Sequence, residues 1–279
     1  MNIITESEIN FGTGELAVPK RYDHYEHIVF DELSSPELVH EAWRIHAEGY
    51  FSMGFINQDA IDANGFLPSD IDKARGDNVE YYMTISPNNI NDCATLRKIN
   101  IPSGKDLYAL PAYKLCNSFL SQDGASILDS INDNKVNLKE IAALSRSNEA
   151  SQKAVYELFR AALHDGIKND EVWLFSLVST TYESLSQSLG KRCFVELGEK
   201  VIIDDPRVSS ELTLNPILFK TNEFIDTLHS YYVDATSDSE RNKALRSFMF
   251  FSDGLNKELL SKDSYEFKQK IIEYFQGVA

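Results

Sequence analysis

Glu140 is the residue whose type is hardest to reconcile with its surroundings in this 279-residue chain. It stands in Asn137–Ser145, NLKEIAALS, an otherwise apolar run short enough for a buried strand, beside Lys139. A carboxylate in such a run is costly unless it is paired or employed. Either Glu140 sits at the strand's open end, solvated or paired with Lys139 or Arg97, or it is employed in the protein's function. The histidines offer less. In HEAWRIH (His40–His46) the second histidine lies six residues after the first rather than four, so the helical zinc-protease pair fails. His24 and His27 have no better support, and solvated or core histidines are the expectation, with no metal. Cys93, Cys116 and Cys193 are widely spaced and odd in number; they form no ligand pair and suggest a reducing compartment. FGTGELA (Phe11–Ala17) has two glycines but no third and no strand before it, so it is not taken as a nucleotide loop.

The elements around Glu140 have clean periodicity. After the strand comes a polar bend, SRSNEAS (Ser145–Ser151), and then Ala154, Val155, Leu158, Phe159, Ala162 and Leu163 form the stripe of a helix laid on a sheet. Gly166 is expected to be the left-handed residue just past that helix. VWLFSLVS (Val172–Ser179) has no alternation, as in a strand covered on both faces. Thr180–Leu189 reads as a short helix ended by Gly190. Strand, helix, strand at these lengths is a right-handed parallel crossover. Function in such units sits at the carboxyl ends of the strands, here Ser145–Ser151 and Ser179–Tyr182.

The rest of the chain supplies a frame. Residues 1–23 read as an arm. HIVFDEL (His27–Leu33) is a strand, and Ser34, Pro36 and Glu37 start a helix carrying Val39, Trp43, His46, Ala47 and Tyr50. NVEYYMTISP (Asn78–Pro87) and CATLRKINIP (Cys93–Pro102) form an antiparallel hairpin around NNIND. Leu107–Ile131 suggests one or two short helices. KRCFVELGEKVIID (Lys191–Asp204) reads as another hairpin turning at Gly198. Asn215–Tyr232, Ser239–Leu260 and Asp263–Phe275 read as helices, the last with Phe267, Ile271, Ile272 and Phe275 on one stripe. The expected division is an arm at 1–23, a main domain at 24–225 and a helical C-terminal extension at 226–279.

Charge narrows the partners. Lys+Arg 27 against Asp+Glu 43 gives a formal net charge of −16, whereas phosphate backbones need clustered cations, so nucleic acid is excluded as the expected partner. No run approaches a membrane span, and the start of the chain lacks a basic region followed by an apolar core. The expectation is a soluble cytoplasmic protein.

The element order resembles that of the GNAT acyltransferase fold, and within it the acyl-homoserine-lactone synthases and N-acyl amino acid synthases. EIAAL (Glu140–Leu144) is similar to their E-[IVS]-S-R-[LF] strand, with Ala143 at the usual arginine. SLGKRCFVELGEKVIID (Ser188–Asp204) resembles their helix end and hairpin. NPILFKTNEFI (Asn215–Ile225) is similar to the segment that follows. The likeness runs from about Ile28 to Ile225.

That resemblance implies a mixed α/β sheet splayed at its centre and flanked by helices. It implies an N-acyltransferase that moves an acyl group from acyl-CoA or acyl carrier protein to a small amine such as an amino acid. Glu140 is then the candidate base. The family's acyl-CoA loop corresponds to Leu144, Ser145, Arg146, Ser147, Asn148, Ser151, Gln152 and Lys153, with Arg146 and Lys153 as the groups for phosphate. Glu149 is repulsive there and the usual glycines are missing. The tyrosine many members carry four residues before the glycine falls at Ser186, and Tyr182, one turn earlier, substitutes for it only if it faces the cleft. The degenerate loop supports an alternative, a GNAT-like ligand- or partner-binding protein that has lost catalysis. An acidic carrier protein would need a local basic patch, for which Lys257, Lys262, Lys268 and Lys270 are the candidates.

Overall fold

The computed structural model describes residues 25–67, 78–179, 182–183, 186, 194–208 and 212–277. The arm at 1–23, the FGTGELA segment, Gly190 and Cys193 lie outside the described residues. Alternating apolar residues lay down the first half of the sheet. β1 (Glu26–Phe30) pairs antiparallel with β2 (Val79–Ser86), and β2 with β3 (Asn89–Asn100). The helix α1 (Pro36–Ser52) connects β1 towards β2 and presents Val39, Trp43, Ile45 and His46 on its buried face. Ser35, not Ser34, precedes its first turn; Ser34 instead closes a local turn, its N–H donating to Asp31 Oδ1 at 2.7 Å.

After α2 (Pro111–Cys116) and α3 (Gln122–Asp133) comes the expected crossover. It consists of β4 (Leu138–Arg146), α4 (Gln152–Lys168) and β5 (Val172–Val178), with β4 and β5 parallel. Gly166 is not past the helix. It lies inside α4, where a Cβ would stand 2.7 Å from Trp173 Cζ2 and 2.9 Å from Thr221 Cγ2. Clearance for the indole, not a left-handed backbone, selects glycine there, and the positive φ belongs to Asp170.

The second half of the sheet departs from the periodicity reading. NPILFK is not the start of a helix but β8 (Thr213–Lys220), antiparallel to β5, and α5 (Thr221–Asp234) begins only after it. β6 (Val195–Glu196) and β7 (Val201–Ile202) do not pair with each other as a hairpin. Both run antiparallel along the outer edge of β8, one interrupted strand with a bulge at Gly198. The sheet order among the described residues is β1-β2-β3-β4-β5-β8-β6, with β7 also on β8.

At that bulge Glu199 N–H donates to Phe119 O at 2.8 Å and Ser121 N–H to Leu197 O at 2.9 Å. A Cβ on Gly198 would stand 2.1 Å from Phe119 O, and one on Gly124 1.8 Å from Leu197 O. The connection between α2 and α3 is thus stitched to the sheet edge.

The core divides by face. Trp173, Phe219, Phe159 and Phe224 pack under α4 and the C-terminal helices, and Leu174, Leu218, Ile45, Leu110 and Leu128 pack under α1, α2 and α3. Each such side chain contributes about 1.5–3 kcal/mol on burial. The C-terminal helices are α5, α6 (Asp238–Ser252) and α7 (Lys262–Gly277). α6 stops well short of Leu260. Its C-terminal carbonyls are held from both sides, with His164 Nε2 2.8 Å from Phe251 O and Lys268 Nζ donating to Ser252 O at 2.6 Å and Leu255 O at 2.9 Å. Lys268 is therefore a buried cap and is withdrawn from the basic patch expected around it. Among the described residues no helix is long and apolar enough to cross a membrane.

Candidate active site

The parallel ladder between β4 and β5 covers only Leu138–Ile141 against Val172–Phe175. Beyond it β4 stays with β3 and β5 stays with β8, so the two strands part at their carboxyl ends. β4 also carries a bulge. Ala142 faces Arg97, but Ser145 faces Thr95, leaving one extra residue on β4. Ala143 takes up the bulge with φ +52, a conformation that a non-glycine residue holds only when its surroundings enforce it, at a cost of about 1–3 kcal/mol.

A cavity of about 310 Å³ opens at this parting, on the face covered by α1. β4 contributes Glu140, Ala142 and Ala143; β5 contributes Ser176; β3 contributes Arg97; α1 contributes His46. Ile56, Leu67, Leu115, Leu212 and Leu214 make much of the remaining wall apolar, and Asp205 and Arg207, paired at 2.7 Å, sit on it too. Glu140 is 4% exposed, and its Oε2 accepts the Ala112 N–H at 2.8 Å, fixing the first turn of α2 against the sheet. The carboxylate expected to be either structural or chemical thus has a structural partner and also borders the cavity. Ser176 Oγ is shielded from solvent and has no hydrogen-bond partner among the described residues. A buried hydroxyl without a partner is uncommon in a folded chain.

The loop expected to hold phosphate is arranged differently. The N–H of Ser151, just ahead of α4, donates to Asp92 Oδ1 at 2.9 Å, and Tyr25 OH donates to Asp92 Oδ2 at 2.7 Å. An anion is favoured at a helix N-terminus, and here the chain supplies its own. Arg146 turns back onto Ala150 O, and Lys153 Nζ lies 5.3 Å from the Tyr25 ring centroid. Ser147 Oγ is bonded to Asn91 O, and Asn91 Nδ2 donates to Glu149 Oε2 at 3.0 Å. Ser145 is buried under α1 near Gly49, Leu144 packs on the α4 side, and Asn148 and Gln152 are exposed.

Tyr182 and Ser186 are not among the residues that line the cavity. Tyr182 OH donates to Glu196 Oε1 at 2.6 Å, and its ring packs on Phe194 within the α4-side core. Burial first, and that hydrogen bond second, push its phenol well above the ordinary tyrosine range. Ser186 Oγ bonds back to Glu183 O at 3.0 Å.

Three residues that the sequence reading did not place in a site therefore stand in this cavity: His46, Arg97 and Ser176. Arg97 carried a signal, a cation inside a strand whose neighbours are buried on both sides. Ser176 and His46 carried none, because only the tertiary fold brings β5 and α1 to one wall.

No protein-family model and no curated protein matches the chain in sequence. Solved structures do match it in shape. FeeM, an N-acyl amino acid synthase from uncultured soil microbes, superposes with a TM-score of 0.51 at 15% identity, over 73% of this chain and 96% of that one. The AHL synthase LasI matches with a TM-score of 0.43 at 10% identity, over 71% and 91%. An acyl-CoA N-acyltransferase from Pseudomonas aeruginosa matches with a TM-score of 0.41 at 11% identity, over 70% and 99%. The first of these, together with the parted parallel strands and the bulge in β4, shows that the chain has the fold of the GNAT acyltransferases.

Proposed function

We propose that this chain is an N-acyltransferase that moves an acyl group from a thioester carrier to a small amine such as an amino acid. The observation that carries the reading is the parting of β4 and β5 at a bulged, strained Ala143, opening onto a cavity that Glu140 borders. The thioester carbonyl would lie at the bulge, where a backbone N–H no longer engaged by the neighbouring strand bonds the developing oxyanion. The acceptor would enter the cavity, its ammonium drawn by the Glu140 carboxylate.

The amine nitrogen bonds the carbonyl carbon and the C–S bond breaks with its electron pair on sulfur. The products are an amide and a thiol. With Asp92 already at the α4 N-terminus, the donor would engage chiefly through its acyl chain and pantetheine arm, whether CoA or a carrier protein bears it.

The same loop favours a second reading, a GNAT-like binding protein without turnover. Mass spectrometry of the purified chain incubated with acyl-CoA thioesters of graded length and a panel of amino acids separates the two. An N-acyl product supports transfer. Thermal stabilisation by long-chain acyl-CoA with no product supports binding alone, and neither effect with acyl-CoA or acyl carrier protein overturns the acyltransferase reading.

A further inference from the structure

We infer that His46 is the group that takes the proton from the acceptor amine, an inference that rests on the acyltransferase reading. An amine arrives as an ammonium and must lose a proton before it can attack a carbonyl. The side chain suited to that near neutral pH is an imidazole, with an ordinary pKa of about 6.5. Placement supports it. A Cβ on Gly49 of α1 would stand 3.5 Å from Arg146 O and 3.5 Å from Ser145 Oγ, so α1 crosses β4 in contact at its carboxyl end.

One turn back along α1, His46 sits over the bulge. It shares with Arg97 and Ala143 both the 310 Å³ cavity and an adjoining pocket of about 10 Å³, which Tyr81 and Thr95 also bound. The smaller space is about that of one water molecule. The imidazole is 7% exposed and is held edge-on by Tyr50, with ring centroids 4.4 Å apart at 76°. Its orientation is therefore set by packing before any substrate arrives.

The division of labour with Glu140 follows from the bonds each makes. Glu140 Oε2 accepts the Ala112 N–H at 2.8 Å, a bond that anchors α2 and fixes the carboxylate beside the cavity. With Glu140 held in place by the α2 backbone beside the cavity, it holds the ammonium and His46 accepts the proton. One N–H proton passes to the imidazole, the nitrogen lone pair bonds the carbonyl carbon, and the C–S bond breaks. The second N–H proton leaves with the thiolate as thiol, and the imidazolium returns its proton to solvent through the open cavity. The titratable and charged groups that share the two spaces with His46 are Tyr50 from α1, Tyr81 from β2, Arg97 from β3, Glu140 from β4, and Asp205 and Arg207 beyond β7. Among these side chains only histidine ordinarily changes charge between pH 5 and 8.

The test compares kcat and KM from pH 5.5 to 9 for the whole chain and for His46→Gln and Glu140→Gln. His46→Gln is expected to lower kcat by about 10²–10⁴-fold at neutral pH, to remove the acid limb of the profile, and to leave the donor KM unchanged. Added imidazole should restore part of the rate. Glu140→Gln should raise the amine KM and keep the acid limb. A His46→Gln enzyme with kcat within threefold of wild type and the limb intact overturns the inference and leaves the acyltransferase reading standing. A wild-type chain that forms no amide overturns both. Should His46→Gln not fold, His46→Asn and an NMR titration of histidine in the wild-type chain replace it. An imidazole that does not titrate between pH 5 and 8 with an amine analogue bound then overturns the assignment.

Discussion

The start of α4 and the parting of β4 from β5 both lie at the carboxyl end of β4, yet the chain treats them in opposite ways. Around the first, Asp92, Tyr25, Asn91 and Ala150 take up the polar groups of Ser151, Ser147, Glu149 and Arg146. Around the second, space is left open and Ser176 Oγ stays without a partner among the described residues. On the proposed reading, the contrast marks the cavity rather than the loop as the place where a ligand enters.

The strongest way to break the contrast is to fill the cavity. Ala142→Phe places a ring in the 310 Å³ space and is expected to lower kcat/KM by about 10²-fold or more, because acceptor and thioester can no longer align. Near-wild-type turnover in a folded Ala142→Phe chain would put the acceptor elsewhere. Next in size is Glu140→Ala, which leaves the buried Ala112 N–H without its acceptor and should cost about 1–3 kcal/mol in denaturant unfolding. Gln at the same position keeps an acceptor oxygen and should cost less than half as much.

Asp92→Ala sharpens the other arm. Losing the acceptor for Ser151 N–H and Tyr25 OH should destabilise by about 1 kcal/mol, within the range for loss of a helix cap. If the carboxylate is what excludes diphosphate, CoA binding by calorimetry should also appear or strengthen. Arg146→Ala and Lys153→Ala should each change CoA affinity less than threefold. A tenfold loss in either would show that the loop binds phosphate after all.

A reference position outside both regions gives the smallest effect. His164 is half-buried with Nε2 2.8 Å from Phe251 O, and that desolvation lowers its pKa below the usual histidine value. Because the folded value is the depressed one, its contribution to stability is complete above the unfolded pKa of about 6.5 and declines as the pH falls below that. The melting temperature should drop between pH 7 and pH 5 with a shallower slope in His164→Gln, read by calorimetry. An equal slope would trace the acid sensitivity to other groups.

How much of this was legible follows from the range of the signals. The crossover from Asn137 to Ser179 could be read because β4, α4 and β5 differ in period and each keeps one period throughout. Asn215–Tyr232 could not be divided, because the apolar run of β8 passes into the stripe of α5 at Lys220 and Thr221 with no side chain capping the new helix. Gly166 and Gly198 were read as backbone punctuation, whereas each is selected by what approaches it, an indole in one case and a carbonyl in the other. Glu140 stood out because its oddity is local. His46, Arg97 and Ser176 come from α1, β3 and β5, and no spacing along the chain relates them. Asp92 was hidden for a similar reason, since in NNIND it reads as one more turn residue.

The seam at Gly124 and Gly198 bears on the range of substrates. It lies directly after α2, which carries Pro111, Ala112 and Leu115, and directly before β7, beyond which come Ile203, Asp205 and Arg207, so it ties together two walls of the cavity. Backbone atoms are pressed so closely there that neither glycine could bear a methyl group, which holds the two walls in one register. A chamber framed this way sorts ligands by fit rather than by adapting to them. If the chain transfers acyl groups as proposed, a narrow band of accepted acyl and amine sizes, with abrupt losses on either side, is the expected behaviour of such a frame.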